Sequence, residues 1–377
     1  MNILFIGHER DINGASKSLL NIISRLENKN NIYVLTAYSS GEFLDELKNH
    51  NVKVIIKKFY HWKAYKGSLK YWHEEKIKYF LWHKFVNIFT AKQLSKLIKK
   101  EKIDIIHSNT GVINIGGLIS KYSGCPHVWH IREFGDLDFN MYPIINQKKY
   151  IRFMNAYTTK FLMISKAVFN HYEFLDINKK RLVYNGVDSS YYNGKKEYHK
   201  DSLVFLIAGR VSKEKGQFEA ISAAEILVNN GITNFQLIIA GLQVDKLNIP
   251  LKLKKQVQYI GTVKDMVELR KRVDVELVCS TAEAFGRVTI EAMFGAIPVI
   301  GSNTGGTTEL INSGSNGFLY EKGNPKDLAK KMMYFIKNPF QLKKMGENAQ
   351  KFALGNFKIE RCVSEIEKIY LDILIKG

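Results

Sequence analysis

Cysteine is scarce in this 377-residue chain: Cys125, Cys279 and Cys362 are scattered and odd in number. They form neither a disulfide framework nor a metal-ligand spacing, and a reducing cytoplasm is the simplest setting. Long apolar runs are missing too. The longest uncharged stretch, Ala292 to Thr308, is broken by Pro298 and several glycines, so no transmembrane helix is expected. The opening run Met1 to Gly7 lacks a basic flank and stops at His8-Glu9-Arg10, too soon for a signal peptide. Two nucleotide fingerprints are absent. No Gly-x-Gly-x-x-Gly follows an early strand, which argues against a nicotinamide dehydrogenase. Gly301 and Gly306 have P-loop spacing, but Thr307 stands where that motif requires lysine, which argues against a nucleoside triphosphatase.

Acidic residues are also few, with 36 Asp and Glu against 56 Lys and Arg, a formal net charge of +20. That excess is well beyond what solubility requires. It concentrates between Lys53 and Lys102, where 14 lysines face only Glu74, Glu75 and Glu101. Interleaved are Trp62, Trp72, Trp82, Tyr65, Tyr71, Tyr79, Phe80, Phe85 and Phe89. Lysines with interfacial aromatics fit an anionic membrane surface, at about 1 kcal/mol per basic residue. Nucleic acid is the rival partner for such a patch, and a solvated helical face is the plain alternative. The expectation is a cytoplasmic protein, peripheral on the inner face of the cell membrane through region 53–102, and not a nucleic-acid binder.

The length suggests two domains. Asn2 to Ile6, Ile32 to Thr36, Val52 to Ile56, Ile103 to His107, Pro126 to Ile131 and Phe161 to Ser165 read as strands, separated by helical stretches such as Ala15 to Leu26 and Ile113 to Tyr122. The alternation restarts at Leu203 to Ala208 and continues through Phe235 to Ala240, Val257 to Ile260, Val275 to Cys279 and Pro298 to Ile300. Short apolar runs alternating with helical periodicity argue for parallel sheets covered on both faces. The predicted fold is α/β, two facing Rossmann-like doubly wound domains over residues 1–190 and 191–357, with a closing helix over 358–377. Tyr184 to Lys200 is polar and turn-rich and reads as the linker. In such folds ligands bind beyond the carboxyl ends of the strands, so candidate ligands are sought there.

Glu283 and Glu291 flank a strand-turn-helix, with Phe285-Gly286 at the sharp turn. The helix start between them attracts phosphate, at roughly half a positive elementary charge, and carboxylates accept hydrogen bonds from hydroxyls. A sugar nucleotide offers both groups; an ordinary acidic first turn is the plain alternative. After the strand Leu203 to Ala208 comes Gly209-Arg210-Val-Ser-Lys-Glu-Lys215-Gly216, whose arginine fork and lysine point charge suit a diphosphate. Gly14-Ala15-Ser16 opens a helix after the first strand and allows close backbone approach. His107 and His130 end neighbouring strands, either as structural rings or as site groups. Asp136-Leu-Asp138 has the Asp-x-Asp pattern of some metal-dependent transferases, but it lies in the half without Arg210, Lys215 and Glu283. No metal and no cofactor is expected, because positive side chains can neutralise a leaving phosphate.

Taken in order, these pieces resemble the retaining glycosyltransferases of family 4, which have the GT-B architecture. The matching residues are Gly209-Arg-Val-Ser-Lys-Glu-Lys-Gly216, Glu283-Ala-Phe-Gly-Arg-Val-Thr-Ile-Glu291-Ala-Met, Pro298-Val-Ile, Gly305-Gly-Thr-Thr-Glu-Leu-Ile311, Asn316-Gly-Phe-Leu319 and the closing Asn356-Phe through Tyr370. The first half agrees more loosely, through Asn13-Gly-Ala15, Asp104-Ile-Ile-His107 and Val128-Trp-His130. The resemblance implies transfer of a sugar from a nucleotide-diphospho-sugar, such as a UDP-sugar, to a glycan or lipid-linked acceptor.

By the same resemblance Gly209, Arg210 and Lys215 bind the donor diphosphate, approached by Gly14, and Glu291 holds the ribose. Glu283 contacts the donor sugar, the backbone at Phe285, Gly286, Arg287 and Val288 lies near sugar and phosphate, and Gly261, Thr262 and Val263 meet the base. His130 sits at the reacting centre. His107 is a candidate acceptor contact. Arg132 either contacts an acceptor phosphate or pairs with Glu133. The chain departs from the family pattern at Ala15, where a second glycine is common. A GT-B-like sugar-nucleotide epimerase or hydrolase would use the same residues without an acceptor.

Overall fold

The computed structural model describes residues 1–188, 196–199 and 201–376. The chain forms two compact units, Met1–Gly186 with Ile359–Gly377, and Val187–Lys358. The expected break after residue 190 lies outside the described residues, as does part of the expected linker; Asn185, within that linker, is buried.

The first unit contains β1 (Asn2–Ile6), β2 (Asn31–Thr36), β3 (Val52–Ile56), β4 (Lys63–Tyr65), β5 (Ile105–Ser108), β6 (His127–Ile131), β7 (Met141–Pro143), β8 (Lys160–Met163) and β9 (Lys180–Leu182). Seven of these form one parallel sheet in the order β3-β2-β1-β5-β6-β8-β9. Its central strands read as continuous apolar runs because both faces are covered. One face packs on Leu19, Ile22, Ile23 and Leu26 of the helix Gly14–Leu26, spaced to fall on one side of it. The same cluster takes Ile359, Val363, Ile366, Tyr370 and Ile373 from the C-terminal helix Ile359–Lys376. The other face is covered by Ala91, Leu94 and Ile98 and by Ile115, Leu118 and Ile119.

The second unit holds β10 (Leu203–Ala208), β11 (Phe235–Ala240), β12 (Val257–Tyr259), β13 (Val275–Val278), β14 (Val299–Ser302) and β15 (Gly317–Tyr320), all parallel, in the order β12-β11-β10-β13-β14-β15. Both sheets reverse their winding once, between β1 and β5 and between β10 and β13. Connections that leave in opposite directions open a crevice at the carboxyl ends of those two strands, the place where doubly wound sheets take ligands.

Two features depart from the sequence expectation. The basic aromatic region is largely one continuous rod, α-helical over Leu69–Lys78, π-helical over Tyr79–His83 and α-helical again over Lys84–Lys100. Its aromatics divide: Trp62 and Tyr79 belong to the core, whereas Phe80, Trp82, Phe85 and Phe89 are exposed. Trp62 donates its indole N–H to the Gly111 carbonyl at 3.1 Å and stacks on Trp129, which removes it from any surface role. The second departure is an antiparallel ribbon of β4 and β7, pairing Ala64 with Tyr142. Three-residue strands carry too little periodicity to be recognised in a sequence.

All four tryptophans, Trp62, Trp72, Trp82 and Trp129, lie in the first unit, so their fluorescence reports its unfolding. Ile366, on the C-terminal helix, is fully buried against the first sheet. Ile366→Ala is expected to lower first-unit stability by roughly 2–4 kcal/mol in urea unfolding; a loss below about 1 kcal/mol would mean that the helix does not share this core.

Candidate active site

In the second unit the residues singled out by the sequence gather at the β10/β13 switch. Gly209 and Arg210 leave the end of β10, and Arg210 is exposed. A short 3-10 turn, Lys213–Lys215, then carries Lys215 across to the end of β13. There its ammonium meets Glu283 at 2.9 Å, and the Ser280 hydroxyl donates to the same carboxylate oxygen at 3.0 Å. Burial alone would raise the Glu283 pKa; Lys215, Ser280 and the Gly286 N–H outweigh it and hold the carboxylate below its ordinary value. An ammonium has three donors, and this contact uses one.

The loop that carries Glu283 is fixed by backbone. Gly306 N–H donates to the Glu283 carbonyl at 2.6 Å. Gly305 has φ +52, and a Cβ there would collide with the same carbonyl oxygen, so a side chain at 305 would displace Glu283. Next in the chain, Phe285 and Gly286 turn into the helix Arg287–Phe294, whose first residues, Arg287 and Val288, keep some exposed surface. Gly261, Thr262 and Val263 lie just beyond β12, with Thr262 exposed.

Glu291 is less open than the sequence suggests. It is 7% exposed and gripped by two arginines, Arg270 Nη1 at 3.0 Å and Arg287 Nε at 2.9 Å. Arg270 is itself buried and donates twice to Glu276, at 2.8 and 2.9 Å. The sequence reading missed this pair, although a signal was present: Glu276 sits within the strand Val-Glu-Leu-Val, and a buried carboxylate there demands a cationic partner. A cavity of about 630 Å³ in this unit touches Ile260 and Val263 but otherwise runs along the helix Met266–Lys271, away from Lys215 and Glu283.

In the first unit a row of polar side chains crosses the β1/β5 switch. Asn109 donates to the Ala15 carbonyl at 2.9 Å and accepts from Arg132 Nε at 2.7 Å. Arg132 also donates to Asn185 at 2.6 Å and to His130 Nδ1 at 3.2 Å. Of the two roles left open for Arg132, the one beside Glu133 is electrostatic: burial raises the Glu133 pKa and the Arg132 charge opposes that rise, while the carboxylate takes Thr110 Oγ1 at 2.8 Å and Gly111 N–H at 2.6 Å. Behind His130 lies His107, whose Nε2 is 3.2 Å from His130 Nδ1 and whose Nδ1 is 2.5 Å from the Tyr370 hydroxyl. His107 and His130 are both fully buried, but both His107 nitrogens are engaged, which leaves His107 no group for the acceptor contact expected of it.

This row determines the proton positions. Arginine only donates, so His130 Nδ1 is an acceptor and the proton of the neutral ring sits on Nε2. His107 then donates through Nε2 and accepts the Tyr370 proton at Nδ1. His130 Nε2 is buried with no hydrogen-bond partner. Burial first, then the positive charge of Arg132, push the pKa of both rings well below the ordinary value. His130 is therefore a neutral ring with one N–H to give.

Gly14 is exposed, and a Cβ built on it would meet nothing within 4 Å. One N–H of that helix start, Ser16, is already taken by the Glu9 carboxylate at 2.7 Å, a residue the sequence reading passed over. Asp136 pairs with His171 at 2.9 Å, and Asp138 accepts from the Phe134 and Gly135 N–H groups at 3.0 and 2.7 Å, so each has a partner in the fold. Among the described residues no three His, Cys, Asp or Glu side chains group as metal ligands.

Residues 12–191 match the family described as Glycosyltransferase Family 4, and residues 192–352 match the one described as Glycosyl transferases group 1. The chain belongs to glycosyltransferase family 4. Over 369 residues this family 4 chain is 27% identical to an uncharacterized glycosyltransferase of Methanocaldococcus jannaschii, covering 96% of this chain and 95% of that protein. It is also 27% identical, over 75% of its length and 79% of the relative's, to the UDP-Gal:alpha-D-GlcNAc-diphosphoundecaprenol alpha-1,3-galactosyltransferase of Escherichia coli. Among solved structures it resembles Anabaena HepE in complex with UDP and glucose, with a TM-score of 0.73 at 22% identity over 97% of this chain and 98% of that one. At that identity the likeness is one of fold, and the two Rossmann-like units are those of GT-B glycosyltransferases.

Acidification tests the buried histidines of this glycosyltransferase. Burial holds His127 at about 4 and His107 and His130 well below their ordinary value, whereas the unfolded chain takes up these protons near pH 6.5. The stability they contribute is complete above about pH 6.5 and is lost as pH falls toward 4. Lowering the pH from 7 to 5 should cost about 2 kcal/mol through His127 alone, read from urea unfolding by tryptophan fluorescence; an unchanged midpoint would contradict the neutral-ring assignment.

Proposed function

We propose that the protein is a retaining, metal-independent glycosyltransferase that moves a sugar from a nucleotide-diphospho-sugar to a lipid-linked saccharide or other envelope glycan, with uridine diphosphate as the carrier. The observation that carries this reading is the Lys215–Glu283 contact at the β10/β13 switch, beside an exposed Arg210 and the start of the helix Arg287–Phe294. Glu283 positions the lysine and leaves two of its donors for phosphate oxygens. Arg210 adds a second cation, and the helix N-terminus adds peptide dipoles. Glu291, held by its two arginines, offers its remaining acceptor capacity to ribose hydroxyls, and the backbone at Gly261, Thr262 and Val263 meets the base. The uridine carrier and the lipid-linked acceptor find support in the name of the Escherichia coli relative and in the UDP held by HepE.

In the transfer, the acceptor oxygen bonds to the anomeric carbon as the bond from that carbon to the diphosphate breaks. The electron pair leaves with the nucleoside diphosphate, and the acceptor proton passes to the departing phosphate oxygen. His130 is not the base in this scheme, because its Nδ1 lone pair is occupied and its Nε2 carries the proton. Stabilisation of the leaving group by Arg210, Lys215 and the helix start supplies much of the rate.

The rod Leu69–Lys100 supports a peripheral place on the anionic inner face of the cell membrane. Ile77, Leu81, Phe85 and Phe89 recur every four residues and are 58–72% exposed, with Trp82 beside them at 60%. Lys70, Lys78, Lys84, Lys92 and Lys96 are exposed along the same rod. An apolar stripe with flanking lysines matches an interfacial helix lying in anionic lipid. Among the described residues no helix is long and apolar enough to cross a membrane.

Lys215→Ala should slow transfer by roughly two to three powers of ten, measured as turnover with the donor that a thermal-shift panel of sugar nucleotides identifies; full turnover would remove Lys215 from the leaving-group site. Replacing Leu81, Phe85 and Phe89 together by serine should reduce flotation with phosphatidylglycerol vesicles by about tenfold or more. Equal flotation of both proteins, or none by the parent at low salt, would sink the membrane placement.

A further inference from the structure

A cavity of about 340 Å³ lies in the first unit between the β4–β7 ribbon, which follows the carboxyl ends of β3 and β6, and the helix Gln147–Ala156. Its floor is Lys63, only 4% exposed. The ammonium donates once, to the Tyr172 hydroxyl at 3.0 Å, and that hydroxyl donates onward to the Phe134 carbonyl at 2.9 Å. Lys63 makes no direct ion pair among the described residues, and the buried Glu133 carboxylate acts on it as a counter-charge. The rings of Tyr150 and Tyr172 sit 5.4 and 5.3 Å from the nitrogen, and Gly135 keeps clear of it, since a Cβ there would stand 3.0 Å from the ammonium. The Tyr150 hydroxyl oxygen is a second acceptor beside the ammonium, so one of the three lysine donors remains to be satisfied.

A second group points the same way. Tyr150 lines this cavity and is 2% exposed, and its hydroxyl proton has no acceptor among the described residues. A buried ammonium and a buried phenol, both with unused donors, call for an oxyanion. The walls are different in kind: Trp72, Tyr142 and Phe174 offer aromatic faces, and Lys66 lies over the Tyr142 ring at 5.1 Å. The volume is at the lower end for small-molecule sites, which suits a single sugar with its anion better than a whole sugar nucleotide.

We propose that this cavity binds an oxyanion-bearing sugar of the acceptor, a phosphate or carboxylate on a pyranose ring, with the oxyanion on Lys63 and Tyr150 and the ring against Trp72 and Tyr142. Its assignment to the acceptor rests on the transferase reading above, whereas the binding itself does not.

The full chain, saturated with UDP, is titrated calorimetrically with N-acetylglucosamine 1-phosphate, glucuronate, N-acetylglucosamine and inorganic phosphate. The expected result is saturable binding of an anionic sugar at least about tenfold tighter than the neutral sugar, weakened about 10- to 100-fold by Lys63→Met and about 3- to 10-fold by Trp72→Ala. Trp72 is only half-buried, so its variant and the neutral-sugar comparison decide the matter if Lys63→Met fails to fold. Binding unchanged in both variants, no binding of either anionic sugar, or phosphate alone binding as tightly as the sugar phosphate would each overturn the proposal. Failure of UDP to bind would overturn the donor reading instead and leave the cavity result standing.

Discussion

Lys215 and Glu283 are 68 residues apart in the chain and 2.9 Å apart in space, and that contact depends on strand order. β10 and β13 are neighbours only because β11 and β12 wind off to one side and β14 and β15 to the other. The loop after β10 then delivers a cation and the loop after β13 a carboxylate to the same spot. A different order would leave each as a charged surface side chain, worth little. The glycines at 305 and 306 narrow the geometry further by bringing one backbone against another, so the carboxylate is held by peptide contacts as well as by its own ion pair.

The first unit solves a related problem with neutral groups. Its carboxyl-end row runs from the Ala15 carbonyl through Asn109, Arg132, His130 and His107 to Tyr370. Each member has its donor or acceptor role fixed by the next, and the single permanent charge, on Arg132, suppresses protonation of the rings beside it. The outcome is one oriented imidazole N–H. A charged ring there would bind a phosphate more strongly but could not keep the same polarity across the pH range of a cell.

How much of this was legible in the sequence follows from what each feature requires. The strands and the Arg210, Lys215, Glu283 and Glu291 set were visible because each sits beside a strand-turn signal with its own local chemistry. The grip of Arg270 on Glu291 and Glu276 was legible only by half: Glu276 within an apolar strand demands a cation, but no local spacing rule says which one a neighbouring helix supplies. His107 was misplaced for a similar reason: ending a strand fixes a residue's position along the sheet but not whether a later helix covers it, and here Tyr370 arrives from 263 residues away. Trp62 went the same way, since an aromatic in a basic stretch looks interfacial until the three-residue ribbon beside it is known. The π-helical turn over Tyr79–His83, which buries Tyr79 among exposed neighbours, leaves no compositional trace either.

The first unit is built from two separated pieces of chain, and this has a consequence for biosynthesis. The helix Ile359–Lys376 is made only after the whole of the second unit, yet its Tyr370 completes the histidine row and its apolar face closes one side of the first sheet. A ribosome working from the N-terminus thus releases residues 1–186 as a sheet with one side covered only in part, by the helix Gly14–Leu26. The second unit, contiguous from 187 to 358, can fold as soon as it emerges, while the earlier unit waits with apolar surface uncovered. The first unit is therefore completed last although most of it is made first, and its uncovered apolar surface is the kind that chaperones protect.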